Sequence, residues 1–324
     1  MGKRCMSWFL CGIILLFYEG SDAQDSVLVS GKDSAKYRLD NNWGDKQMKA
    51  FQKSLDSLLA PARSYFQGGI NYLSNNVYLG RKDTVNMPYI TGTVGYYHKS
   101  GLYLNGSVSY LPNSDPGRID LVTVEGGYHF KTGKFEGQAT AAKFFFNSLS
   151  NNVKAELKGA VSFLGAYDLS FIKPVITPML NISNKLDFTL TTGLEHTFYS
   201  EDNDFDITPT INMNGSTQNY YSSYYKDRKF KVKKKKVTVV EKGTVTGVVL
   251  DASQFKILDY EFTLPVNYVY KKFTFNFTPT YAIPVNPAIV SITRQIPNET
   301  PTTVTKNEKV ENSFYFQAGF VYRL

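Results

Sequence analysis

Residues 186–198 read LDFTLTTGLEHTF. Leu186, Phe188, Leu190, Leu194 and Phe198 alternate with Asp187, Thr189, Thr191, Glu195 and Thr197. Side chains on an extended strand point alternately to opposite faces, so this segment has one apolar and one polar face. The same split runs through Leu258, Tyr260, Phe262, Leu264, Val266, Tyr268 and Tyr270, set against Asp259, Glu261, Thr263 and Asn267. It returns in Phe273, Phe275, Phe277 and Tyr281 against Thr274, Asn276, Thr278 and Thr280. Leu102, Leu104, Val108 and Tyr110 likewise face away from Tyr103, Asn105, Ser107 and Ser109.

Two architectures give such faces. In a soluble sandwich the apolar faces meet inside; in a membrane barrel they face lipid and the polar faces line a lumen. The segments here run beyond the roughly 5–6 residues usual for a soluble strand and match the roughly 9–11 of a tilted spanning strand. Aromatic residues gather near segment ends (Tyr96, Tyr97, Tyr128, Phe130, Phe198, Tyr268, Tyr270), as interfacial girdles require. Twelve segments are expected, at about 65–79, 88–98, 102–111, 118–130, 134–146, 153–167, 170–182, 185–199, 204–214, 255–270, 273–283 and 312–324. Their connections alternate. Lys99–Gly101, Lys131–Gly133, 168–169, Ser200–Asn203 and Lys271–Lys272 are tight, whereas 80–87, 112–117, 147–152, 215–254 and 284–311 are longer. Only the turn at Asn184 is short on the second side. Short turns on the periplasmic side and long loops outside are the barrel's asymmetry. The fold class is therefore all-β, a single antiparallel transmembrane β-barrel of about twelve strands. Counts of ten or fourteen stay open, because the first segment and the proline-bearing 170–182 are weakly patterned.

Composition agrees. The chain has 324 residues, a net charge of +8 and 15% aromatic residues. It has no apolar run long enough for a spanning helix of about 20 residues. Lys3 and Arg4 precede the apolar run Trp8–Tyr18 and a polar stretch, the layout of a secretory signal, so residues 1–24 are expected to be removed. Both cysteines, Cys5 and Cys11, fall within it. Residues 25–63 form a separate polar segment. Met48, Phe51, Leu55, Leu58 and Leu59 recur there at helical spacing, predicting a short amphipathic helix over 45–60 that either packs against the barrel or plugs it.

The last segment, SFYFQAGFVYRL, resembles the C-terminal β-signal of Gram-negative outer-membrane proteins, with Gln317, Gly319, Tyr322 and Leu324 at the positions of that pattern. The resemblance implies a porin-like barrel in the outer membrane, inserted by the outer-membrane assembly machinery. It implies no cargo.

Residues that carry chemistry are sparse. The histidines are His98, His129 and His196, all placed near periplasmic strand ends, with His129 pointing inward beside Glu125. Asp202, Asp204 and Asp206 lack the glycine and distal glutamate of a calcium loop. No cofactor, metal site or enzymatic activity is expected. By parity the lumen carries Glu125, Glu136, Lys154, Glu156, Lys158, Asp187, Glu195, Asp206, Asp259, Glu261 and Arg323. These either form a mixed network or line a narrow, cation-preferring pore. A basic run, Lys226, Arg228, Lys229, Lys231, Lys233, Lys234, Lys235 and Lys236, falls in a long outer loop. There it is solvated or meets lipopolysaccharide phosphates, with outer-membrane lipid around the wall; nucleic acid is not expected of an exported chain. The functional expectation is a small diffusion channel or transporter. The alternative is a closed barrel with a structural, adhesive or surface-binding role through 215–254 and 284–311.

Overall fold

The computed structural model describes residues 63–83, 86–224, 244–295 and 300–324. The signal segment, the helix expected over 45–60 and the basic run from Lys226 to Lys236 lie outside the described residues.

Twelve antiparallel staves form one sheet, and the sheet closes on itself. They are β1 (Tyr65–Leu73), β2 (Tyr89–Tyr97), β3 (Leu102–Leu111), β4 (Arg118–Thr132), β5 (Phe135–Phe146) and β6 (Gly159–Tyr167). β7 (Lys173–Ile182) and β8 (Leu186–Glu195, continued by Phe198–Tyr199) follow. β9 (Phe205–Ile207 and Thr210–Ser216), β10 (Lys256–Thr263 and Val266–Tyr270), β11 (Phe273–Pro284) and β12 (Ser313–Arg323) complete the wall. Each stave pairs with its chain neighbours, and β12 pairs with both β11 and β1, from Gln67 opposite Arg323 to Leu73 opposite Gln317. A closed sheet has no free edge, so every backbone donor in lipid can find a partner.

The outside of this wall is apolar. Phe66, Val94, Leu104, Leu186 and Ile211 are each more than half exposed, and an apolar surface of this extent needs lipid rather than water. The inside is polar: Thr123, Thr140, Asp187, Thr189, Asn212 and Asn276 are buried. The inner turns are tight, and Gly101 and Gly133 take φ of +93° and +61°, a region that costs glycine little.

Four details differ from the sequence expectation. The first segment ends at Leu73; beyond it Val77–Tyr78 and Arg81–Lys82 pair as a separate small hairpin. Residues 153–158 are turn and coil rather than strand, tied by Ala155 N to Asn152 O and Leu157 N to Lys154 O. Tyr97 is not part of an outer girdle: its ring stacks on Tyr65 and Tyr103 on the inner face, at centroid distances of 4.9 and 5.8 Å. Leu258 is buried inside rather than facing lipid. The cause of the last is a β-bulge, where Asn214 faces Asp259 but Gly215 faces Ile257. The extra residue breaks the two-residue period and turns both Leu258 and Asp259 inward. Pro174 and Pro178 are accommodated within β7, and the β6–β7 ladder skips the residues around Pro178, which has no N–H to donate.

Candidate functional site

The interior divides into two parts along the barrel axis. In the outer half, loops fold back into the lumen. The 77–82 hairpin leaves the wall between β1 and β2 yet reaches the other side, where Asn181 Nδ2 on β7 donates to Tyr78 Oη at 3.3 Å. Tyr78 meets the Tyr220 ring edge-on at 5.5 Å, and Tyr220 belongs to the short helix Asn219–Tyr224. Leu79, Val153, Leu157, Tyr220, Tyr221, Leu258 and Val290 form one buried cluster. Val249 and Val290 enter it from a three-stranded outer sheet, Thr244–Val249, Ile289–Gln295 and Thr302–Asn307.

Three buried charges fasten these loops to the wall. Asp120 on β4 accepts Tyr89 Oη at 2.5 Å, Ser150 Oγ at 2.6 Å and Arg118 Nε at 3.2 Å, which anchors the 147–158 loop. Asp187 on β8 accepts Thr217 Oγ1 at 2.7 Å, Asn219 N at 2.7 Å and Tyr220 N at 2.8 Å, which seats the helix. The Arg81 guanidinium, itself on the hairpin, donates to Leu258 O on β10 at 3.5 Å, to Leu79 O at 2.9 Å and to Asn286 O at 3.1 Å, and lies 3.9 Å from Glu308. Tyr221 Oη also donates to Glu308. A buried charge is costly unless its lone pairs or protons are met: loop atoms meet Asp187 and, for the most part, Arg81, while Asp120 is met by the loop hydroxyl of Ser150 and by two wall side chains. The wall and the stopper are thus mutually dependent.

Below the stopper lies a cavity of about 410 Å³. Its lining runs from Lys131, Lys134, Asp168 and Ser170 at the periplasmic turns up to Tyr78, Leu79 and Lys154 under the stopper. Near the lower end Lys173 Nζ bridges Glu195 Oε1 at 2.9 Å and Glu136 Oε2 at 3.5 Å, and His129 Nε2 lies 3.1 Å from Glu136 Oε1. At the same level Asn267 Nδ2 donates to Asp206 Oδ1 at 3.1 Å, and higher up Tyr315 Oη donates to Glu261 Oε1 at 3.1 Å. Threonines 177, 191, 208, 210, 278 and 280 occupy the wall between. Arg323 stacks on the Tyr65 ring at 3.5 Å, at the foot of the Tyr65–Tyr97–Tyr103 stack.

The residues singled out from the sequence are placed as follows. Glu125, Glu136, Glu195, Asp206 and Glu261 sit on inner faces, Glu125 accepting Asn105 Nδ2 at 3.2 Å. Asp187 and Asp259 are buried in the outer half. Lys154 is buried but stands on the inward turn, not on a strand. Glu156 lies in that same turn, so strand parity does not apply to it. Lys158 is a correction: it is exposed, its Nζ donating to Asn184 Oδ1 at 2.8 Å on the outer rim. Among the terminal residues, Gln317 faces the lumen and Tyr322 packs on Phe273 at 4.8 Å. Gly319 lets β1 approach, since a Cβ there would overlap Ile70 O and Asn71 Oδ1. Leu324 N donates to Phe66 O at 2.9 Å, across the closing seam.

Sequence reasoning passed over Arg81, Asp120, Lys173 and Glu308. Asp120 has the wrong parity and faces inward only because Tyr110 pairs with Ile119 while Ser109 pairs with Leu121. Arg81 and Glu308 belong to loops, whose direction no periodicity reports. Lys173 shares inward parity with Val175 and Thr177, so the signal was present there.

No family model matches the sequence, and no curated protein does. Among solved structures the chain is similar to KdgM porin, at 9% identity and a TM-score of 0.38, covering 80% of this chain and 98% of that one. It is similar to KdgM porin in complex with disordered oligogalacturonate, at 11% identity and 0.39, covering 80% and 98%. It is also similar to LpxR from Salmonella typhimurium, at 8% identity and 0.39, covering 79% and 99%. At these values none of them bears on cargo or chemistry. The molecule's own wall, with its closed ladder, apolar exterior and polar interior, is that of a twelve-stranded outer-membrane β-barrel.

Proposed function

We propose that this protein is a gated diffusion channel for small polar solutes, and not an enzyme. One observation carries the reading: a cavity with charged and hydroxyl side chains along its wall reaches from the periplasmic turns to midway up the barrel and ends under loops fastened by hydrogen bonds to single wall residues. A barrel built only as a scaffold gains nothing from a charged, water-sized lumen, whereas a path needs one. Asp120, Asp187 and Arg81 act as the gate's fasteners, and the Lys173 bridge sets the charge met by a solute entering from the periplasm. We further infer that the signal segment 1–24 is cleaved on export. The assembly machinery reads Gln317, Gly319, Tyr322 and Leu324, and the basic residues from Lys226 to Lys236 meet lipopolysaccharide phosphates.

The apolar cluster in the stopper favours a second reading, a permanently closed barrel acting through its outer loops. Planar-bilayer recording separates the two. Brief, small openings in the wild type that become long and several-fold larger in Arg81→Gln support the gate. Silence in both proteins, with both heat-modifiable on gels, leaves the closed barrel.

A further inference from the structure

The upper end of the lumen holds a cation that the gate does not use. Lys154 stands on the inward turn and is only 7% exposed. Its ammonium lies over the Tyr78 ring at 5.2 Å, and among the described residues no carboxylate forms an ion pair with it. Burial alone lowers its pKa to about 8, with no neighbouring acid to restore it. A buried ammonium without a counter-charge is costly to keep, and its position shows what would meet it.

Lys154 lines two neighbouring cavities. The large lumen cavity and a side arm of about 50 Å³ share Leu73, Asn76, Lys154 and Gln317. At roughly 10–15 Å³ per water on this measure, the arm holds about three to five non-hydrogen atoms. Its surface is predominantly apolar, supplied by Leu121, Phe144, Phe146 and Leu157. Gln317 on β12 lines both cavities as well and offers a side-chain amide to an occupant. The shared wall therefore presents one positive charge, one amide donor and a short greasy recess.

We infer that the shared wall is a binding site for short-chain carboxylic acids, with the carboxylate on Lys154 and Gln317 and the hydrocarbon in the side arm. An ammonium against a carboxylate gives a charge-assisted hydrogen bond, and a few methylene groups suit the arm's size and lining. An amine of the same length would meet like charge at Lys154. An alcohol would leave the ammonium without a counter-ion. As a statement about cargo this rests on the channel reading; as a statement about binding it does not.

The test uses the full chain in detergent micelles, with butyrate, 1-butanol and butylamine as probes followed by saturation-transfer NMR. Butyrate should bind, and the alcohol and amine should bind at least tenfold more weakly. Lys154→Met should weaken butyrate at least tenfold, and Gln317→Leu several-fold. Butyrate binding unchanged in Lys154→Met, or butylamine binding as well as butyrate, overturns the site. Should Lys154→Met fail to fold, the wild type decides. Acetylation of Lys154 by acetic anhydride, read by mass spectrometry, should be slowed by butyrate and not by butanol; equal protection by both overturns the site. Conductance is scored separately. Butyrate binding to a barrel that never conducts would retain the site and discard the channel, and the reverse pattern would discard the site alone.

Discussion

The outer and inner halves of this barrel share one wall and differ in what fills it. In the outer half the connections are long, two bulges break the strand period, and Leu79, Val153, Tyr220 and Val290 make an apolar core where a pore would be. Wall charges there point at loop atoms. In the inner half the turns are short, and the charges answer one another across the wall, as in the Glu136–Lys173–Glu195 bridge. The contrast teaches that strand parity decides which side a residue faces and says nothing about what it meets there. An inward carboxylate is a loop fastener near the outside and a member of a polar path near the periplasm. Removing groups from the outer half should therefore move loops, whereas removing groups from the inner half should change charge selection and little else.

The largest effect is expected from Tyr220→Ala. The ring is fully buried and packs on Tyr78 and Tyr221, so its loss should cost about 3–5 kcal/mol, as for other buried aromatics. Surface protease should then cut the outer loops of intact cells while the barrel stays heat-modifiable. The same truncation at Tyr167, exposed on β6, should change nothing; equal effects at both sites would erase the distinction between halves.

Asp120→Asn comes next. The amide keeps one acceptor but loses the charge that Tyr89, Ser150 and Arg118 address, a loss of about 1.5–3 kcal/mol for a charge-assisted bond. Hydrogen exchange should speed at the amides of 150–158 and not at those of β10. Protection that stays at wild-type levels in 150–158 would mean that the loop is held by its apolar contacts alone.

A smaller change is expected from Lys173→Met. The lysine is partly exposed, so stability should shift by no more than about 1 kcal/mol. Glu136 and Glu195 would be left without the cation between them. In the Arg81→Gln background the reversal potential in a salt gradient should move toward cations. No movement would show that solutes pass elsewhere.

The smallest effect is expected at Lys309. Its 2.7 Å pair with Glu311 is open to water in an outer loop. Each partner favours the other's charged form, raising the Lys309 pKa and lowering that of Glu311. Solvent screening leaves little of this as stability, so Lys309→Ala should leave the temperature of gel-shift conversion unchanged at low and high salt.

Much of the wall was legible from the pattern of single residues. Leu102–Leu111 has the bounds expected of it, and Asp187, Thr189 and Thr191 point inward as the alternation at 186–198 requires. Period-two patterning is local, and a barrel stave one layer thick leaves it intact. The interior was less legible. Asp120 and Leu258 escaped because a bulge shifts parity by one residue without a clear mark in the sequence. Tyr97 escaped because an aromatic ring near a strand end suits a girdle and an inner stack alike. Lys158 was misplaced because a strand was expected where the chain turns inward at Lys154. The sequence by itself determined that the chain forms staves of about this number, their apolar face and the asymmetry of their connections, all of which follow from alternation and turn length; the closed count of twelve was decided by the sheet. Only the tertiary structure decided that the outer loops enter the lumen, that Arg81, Asp120 and Asp187 hold them there, and that Lys154 is left facing a recess. Those contacts join residues 30 to more than 200 positions apart, and no local periodicity records a meeting made by closing a sheet.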